Sequence, residues 1–183
     1  FFVFLISGIA LLKERTSGTL DRLLATPVKR SEIIFGYTIS YGFLAIIQTI
    51  VITLSAIYLL KIEVAGSLVY VIIVNMLLAL GALALGMLLS TAAKSEFQVM
   101  QFIPLVIIPQ MFFSGIVPVE NMGKVAVYIS KVLPVTYSGD GLSKIILEGK
   151  NLLDIKGDII ALTIFFVVLI TLNIIGLKRY RKV

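Results

Sequence analysis

The chain has 183 residues, 59% hydrophobic and 14% charged, with a mean hydropathy of +1.08 and a formal charge of +6. Soluble domains average about 45–50% apolar and about 25% charged residues, so one compact core of this size cannot hide the excess and most of the chain belongs in lipid. Disorder, a collagen-like fibre and a disulfide-rich secreted scaffold are excluded, and with neither Cys nor His there is no disulfide framework, thiolate metal site or imidazole base.

Residues 1–12, FFVFLISGIALL, are apolar throughout but would rise only about 18 Å as a helix. They lack the basic n-region and small-residue cleavage site of a signal peptide. They read as the end of a span whose beginning lies outside the sequence. Residues 13–31 are polar, with Leu20, Leu23 and Leu24 at i, i+3 and i+4. That spacing predicts an amphipathic helix of two or three turns following Gly18. Pro27 breaks it, and Ser31 is placed to cap the next span. Such a helix is either an ordinary interfacial one or a ligand for a partner's groove.

Four longer apolar stretches follow, at residues 33–60, 68–90, 98–117 and 158–177. Each meets the requirement of about 20 residues for crossing about 30 Å of hydrocarbon. Helix is the expected state, because an open strand leaves backbone groups unpaired in lipid. Tyr37, Tyr41, Gln48 and Ser55 share a face of the first stretch, where they either line a pathway or satisfy each other. Asn75, Ala79, Ala82, Gly86 and Ser90 form a stripe on the second. It serves either close helix packing through small residues or contact with a substrate. Gln101 and Gln110 bring neutral amides to the third, as further candidates for a pathway lining. Pro104 and Pro109 give that stretch either a fixed bend or a hinge. Residues 118–157 form an external loop with short helices, in which Val125, Tyr128, Ile129 and Val132 make one apolar face suited to the outer interface. Residues 178–183 are a basic tail.

Orientation follows from Lys and Arg. One side takes Lys13, Arg15, Arg22, Lys29, Arg30, Lys94 and the tail, ten cations on short loops; the other takes six, on a longer loop rich in Asp and Glu. The ten-cation side is therefore expected to be cytoplasmic, with the C-terminus on it. Its basicity suits anionic lipid headgroups better than nucleic acid. No charged residue lies deep in a span, which argues against a proton-driven carrier and against an intramembrane protease. There is no phosphate-loop signature (G-x-x-x-x-G-K followed by Ser or Thr), so any ATP is bound elsewhere.

Glu14, Arg15, Gly18, Thr19, Leu20, Leu23, Leu24, Pro27 and Val28 form the pattern E-R-x-x-G-T-L-x-x-L-L-x-T-P-V, with Glu32 beyond it. This block resembles that of ABC-2 type transporter permeases, and the resemblance extends over essentially the whole chain. It implies that the segment is a coupling helix that docks on a cytoplasmic ATPase, with Asp21 and Arg22 among its charges. Phe113-Ser114-Gly115, Pro118-Val119-Glu120 and Leu133-Pro134-Val135-Thr136-Tyr137 resemble the family's sequence between its last two spans. There the chain forms re-entrant or interfacial helices, either for closure alone or as an exit lid involving Phe113, Ser114, Gly115, Pro118, Pro134 and Tyr137.

The expectation is an all-α, polytopic transmembrane bundle, one domain over residues 1–183, with five spans in view and the first truncated. The resemblance implies the non-catalytic permease subunit of an ATP-driven exporter of a hydrophobic or amphipathic compound (a drug, antibiotic or lipid). Its partners would be an ABC ATPase subunit, a second permease subunit and membrane lipid, with no nucleic acid. ATP and Mg would sit on the ATPase and no cofactor on this chain. The setting would be a prokaryotic plasma membrane. The alternative is a membrane anchor or sensor that recruits another partner through the same amphipathic helix.

Overall fold

Eight helices, and no strand, occupy the described residues, 2–115 and 123–177, of the computed structural model. They are α1 (Phe2–Thr16), α2 (Thr19–Leu24), α3 (Arg30–Leu60), α4 (Leu68–Ser90), α5 (Glu96–Phe112), α6 (Lys124–Ser130), α7 (Pro134–Glu148) and α8 (Lys156–Gly176). Helices α3, α4 and α8 are long and apolar enough to cross a membrane, and α5 is a shorter apolar helix. At 31 residues α3 is about 46 Å long, so its ends pass beyond the hydrocarbon or it tilts.

Several boundaries differ from those the sequence predicts, each for a local reason. Helix α1 does not stop at Leu12 but carries on through Lys13 to Thr16, because charged side chains at a membrane surface continue a helix as readily as apolar ones. The stretch expected at 33–60 starts earlier, at Arg30. Lys29 is its N-cap instead of Ser31, and the Glu32 carboxylate accepts the Lys29 backbone N–H at 2.9 Å. The stretch expected at 98–117 becomes α5, which starts at Glu96 after an N-cap at Ser95, whose side chain accepts the Gln98 N–H, and ends at Phe112. Residues 116–122, which include Pro118, Val119 and Glu120, and the tail at 178–183 lie outside the described residues.

Helix α4 is the centre of the bundle and packs against α1, α3, α5, α7 and α8. Its Leu83, Ala84 and Met87 are fully buried. Lipid tails are as apolar as leucine, so hydrophobicity alone does not hold such helices together; close approach and hydrogen bonds do. The buried faces accordingly carry Ser7 and Gly8 on α1, Thr49 and Thr53 on α3, and Gly81, Gly86 and Ser90 on α4. Asn173 of α8 donates to the Ala84 and Leu169 carbonyls, both at 2.8 Å.

At the opposite end from α2, Lys144 on α7 lies 2.6 Å from Asp140 and 3.1 Å from Asp158, the latter in the first turn of α8. The hydrogen bond that Lys144 donates to Asp140 is the main cause that raises its pKa; burial opposes it, and Asp158 adds to the rise. Asp158 is only 7% exposed, so removing the cation leaves a buried carboxylate without its counter-charge. Lys144→Met is expected to destabilise the chain by about 1 kcal/mol, the charged hydrogen bonds being discounted for the partly exposed ammonium. The folded pKa is the higher one, so the contribution is complete below the lysine's ordinary value of 10.5 and disappears as pH rises through the folded value. Thermal unfolding of both proteins at pH 7.5, about three units below the ordinary lysine value, and again as the pH is raised past that value, checks it.

Candidate functional site

Two regions hold the residues singled out from the sequence: the α2 end and a cavity near the other end. At the α2 end, Arg15 turns back into the protein. Its guanidinium donates to the Thr91 carbonyl at 3.0 Å and to the Ala93 carbonyl, the orphan acceptors after α4. A cation there satisfies acceptors the helix cannot and complements its dipole. Gly18 has φ +75° with open space where a side chain would be. It is there for the left-handed turn between α1 and α2.

Helix α2 has six residues, less than two turns, because Pro27 and the flanking Ala25–Thr26 turn end it early. Its two faces differ sharply. Leu20 is 1% exposed and belongs to the core cluster with Ile33, Ile34, Met87 and Leu177; Leu23 and Leu24 pack half-buried against that cluster. Asp21 and Arg22, with Thr19 and Pro27, face outward, and Glu14 is half-buried. The leucines thus hold α2 to its own bundle, and the charged face is what a partner could meet. Leu20→Ala is expected to cost about 2–3 kcal/mol through the cavity it leaves. A matching fall in the midpoint of detergent unfolding of the isolated chain would check this.

The cavity, about 450 Å3, lies between α3, α4, α5, α7 and the first residues of α1, with Phe165 of α8 on its edge. It brings together Gln48, Asn75 and Gln110, and also Ser114 and Pro134. Tyr37, Tyr41, Ser55 and Gln101 do not reach it. Tyr37 and Tyr41 stack on each other, ring centroids 6.2 Å apart and planes 10° apart, and pack against the inner cluster. Gln101 points outward from α5. Two of the three wall amides are engaged: Asn75 donates to Thr53 Oγ1 at 3.3 Å and Gln110 to the Val106 carbonyl at 3.2 Å. The small-residue stripe of α4 divides between its two expected uses. Asn75, Ala79 and Ala82 face the cavity, whereas Gly86 and Ser90 are buried and Gly86 lies directly against Phe4 and Ser7 of α1.

Phe113 and Ser114 follow α5 directly, and Gly115 takes φ +92°. The Ser114 carbonyl sits where a Cβ on Gly139 of α7 would be, so the end of α5 and the start of α7 touch through backbone. Pro134 opens α7, and the Tyr137 hydroxyl donates to the Lys131 carbonyl at 2.7 Å. On α6 and just after it, Val125, Tyr128, Ile129 and Val132 are all exposed, with the Lys131 ammonium 5.8 Å from the Tyr128 ring centroid. Sequence reasoning missed Gly139, Gly66 and the Lys144–Asp158 pair. The contact of Gly66, whose Cβ would lie 2.7 Å from the Ile145 carbonyl, joins positions about eighty residues apart and has no local signature. The Arg15 contact with α4 is equally nonlocal.

Residues 1–147 match the family described as ABC-2 type transporter. Among curated relatives, ABC transporter G family member 20 of Dictyostelium discoideum is 30% identical over 148 residues, covering 80% of this chain and 20% of the relative. The probable multidrug ABC transporter permease YbhS of Escherichia coli is 24% identical over 79% of this chain and 39% of its own length. The linearmycin resistance permease protein LnrN of Bacillus subtilis is 28% identical over 80% of this chain and 38% of its own. The chain thus spans two-fifths or less of the length of these relatives. No solved structure matches it.

Proposed function

The chain belongs to the ABC-2 type transporter family, as an integral membrane and non-catalytic permease component, and we propose that it serves an ATP-driven exporter of a hydrophobic or amphipathic compound. Two permease subunits pair, each with an ATPase subunit that carries ATP and Mg. The multidrug and linearmycin resistance permeases among its relatives favour a drug, antibiotic or lipid as cargo. Five helices, α1, α3, α4, α5 and α8, act as spans. The α2 end and the C-terminus face the cytoplasm of a prokaryotic cell, and α6 and α7 lie on the outside as the exit lid.

The observation that carries the reading is the two-faced α2, with Leu20 sunk in the core and Asp21 and Arg22 turned out. A surface that receives force from a partner must be exposed on one side and fixed to the moving part on the other. Leu20 fixes α2 to α3, α4 and α8 through the inner cluster, and Arg15 ties the end of α1 to the end of α4. When ATP closes the ATPase pair, that force reaches the spans as one body. A ligand or partner shifts such an equilibrium only through contacts that differ between its states, so the α2 docking contact must tighten in one of them.

Cargo passes between the two permease subunits, with Gln101 on the outward face of α5 as a pathway residue. Gln101→Leu is expected to change the KM of cargo-stimulated ATP hydrolysis roughly fivefold, the worth of one hydrogen bond, with the melting temperature unchanged. The primary test is isolation of the full-length protein from native membranes in mild detergent. An ATPase with a phosphate loop should co-purify and hydrolyse ATP faster with lipophilic cargo. Co-purification of a different partner instead would support the anchor reading and overturn this one.

A further inference from the structure

The walls of the cavity carry more hydrogen-bonding capacity than they use among themselves. A threonine within an apolar helix commonly spends its hydroxyl on the carbonyl one turn back. Thr38 donates in this way to Ile34, Thr163 to Ile159 and Thr171 to Val167, at 2.7–2.8 Å. Thr49 and Thr53, which line the cavity from α3, do not. Thr53 Oγ1 accepts the Asn75 amide instead, and its own proton has no acceptor among the described residues. Thr49 Oγ1 and the Gln48 amide have no hydrogen-bond partner at all among the described residues. Thr49 is 8% and Thr53 6% exposed, so what these hydroxyls can meet is the content of the cavity.

Gln48, Thr49 and Thr53 lie on one side of α3, the two threonines a turn apart, which is a rise of about 6 Å. They make a single polar patch in a wall that is otherwise apolar, and none of the described lining residues is charged. That decides what the cavity can hold. A charged molecule would leave water with no counter-charge to meet it. A plain hydrocarbon would leave the Thr49 and Gln48 groups unpaired, which costs their desolvation. A neutral molecule with one polar end satisfies both demands. Small-molecule sites are apolar clefts of about 300–1,000 Å3 with a few convergent polar groups, and this cavity, at about 450 Å3, has that size and that lining.

We propose that the cavity is a binding site for an uncharged lipophile that carries a hydroxyl or carbonyl oxygen. The oxygen takes its hydrogen bonds from Thr49 and Gln48, and the apolar body lies against α4 and α5. The site lies within one subunit, apart from the cargo path between subunits where Gln101 was placed. It does not depend on the exporter reading, because it is tested by binding with neither ATP nor transport.

The probes are 1-naphthol and 1-methylnaphthalene, which share size and shape and differ by a hydroxyl against a methyl group. The 183 residues hold no Cys, so Ala79→Cys, on the α4 wall, reports cleanly in the full-length protein once any cysteine elsewhere is replaced by serine. Its alkylation by N-ethylmaleimide is timed in detergent against Glu63→Cys, exposed on the α3–α4 loop. Naphthol should half-protect Ala79→Cys at a free concentration about fivefold lower than methylnaphthalene does, the worth of one hydrogen bond. Protonated 1-naphthylmethylamine should not protect it. Adding Gln48→Leu and Thr49→Val, which remove groups with no partner in the fold, should make the two neutral probes equal. Equal protection in the parent, protection by neither probe, a difference that survives the two substitutions, or protection by the amine would each overturn the proposal. Melting temperatures make the same comparison without the maleimide. Naphthol should raise that of the unsubstituted protein about 2–4 °C more than methylnaphthalene does, and the difference should vanish with Gln48→Leu and Thr49→Val; equal shifts in the unsubstituted protein would overturn the proposal as well.

Discussion

Gly86→Leu is expected to push α1 off α4 and destabilise the chain by about 3 kcal/mol or more, a large share of a stability of about 5–15 kcal/mol. At Gly86 even a methyl group would overlap the Phe4 carbonyl and the Ser7 hydroxyl. The first is backbone and the second belongs to a short side chain held by its own hydrogen bonds, so neither can swing aside as the end of a long side chain would. Ser7 also loses its contact with the Leu83 carbonyl, 3.0 Å away, and a buried hydroxyl without that partner adds its own cost. The neighbouring Gly81 faces the edge of the Phe165 ring at 3.4 Å, an ordinary contact that a rotating ring can relieve, so Gly81→Ala should be nearly neutral. Unfolding of the two variants in a denaturing detergent titration, followed by the far-ultraviolet helix signal, separates them. Equal midpoints would mean that α1 is not held by close approach at Gly86.

The second large effect belongs to the exposed face of α2. If α2 docks on the ATPase as proposed, exchanging its charges, Asp21→Lys with Arg22→Glu, should reduce cargo transport at least about tenfold while the ATPase still hydrolyses ATP, because a charge swap on a docking face repels the partner. Both are exposed and have no part in the core, so the melting temperature should stay within about 1 kcal/mol equivalent of the parent. That separates the double variant from Leu20→Ala, whose loss begins with folding. Transport into inverted vesicles and ATP hydrolysis are measured on one preparation. Unimpaired transport would remove Asp21 and Arg22 from the coupling surface.

What was legible in the sequence was what depends on composition and short spacing. The apolar runs at 68–90 and 158–177 fall on α4 and α8 to within two residues because hydropathy and helix periodicity are local properties. The Leu20, Leu23 and Leu24 spacing gave α2 a buried face for the same reason. The extent of α1 was not legible. Lys13 and Arg15 look like the start of a loop until Arg15 is seen on the carbonyls after Ser90, a partner 76 residues away. The pathway candidates divided likewise. Tyr37, Tyr41, Gln48 and Ser55 share one face by spacing, yet a long helix meets different neighbours along its length, and only Gln48 reaches the cavity. The stripe on α4 could not be assigned to packing or to a lining from its spacing alone, since it does both, the change falling where α1 begins.

The contact of Arg15 with the carbonyls after α4 also fixes an order of events during synthesis. The ribosome completes Arg15 long before it completes Thr91, and at about 5–20 residues per second the delay is about 4–15 s. Throughout it the guanidinium has no α4 terminus to hold and must wait among lipid phosphates, while Ser7 and Gly8 face acyl chains. The nascent chain therefore passes through a stage in which its first helix is inserted but unpartnered, and docking is decided only once the fourth has left the translocon.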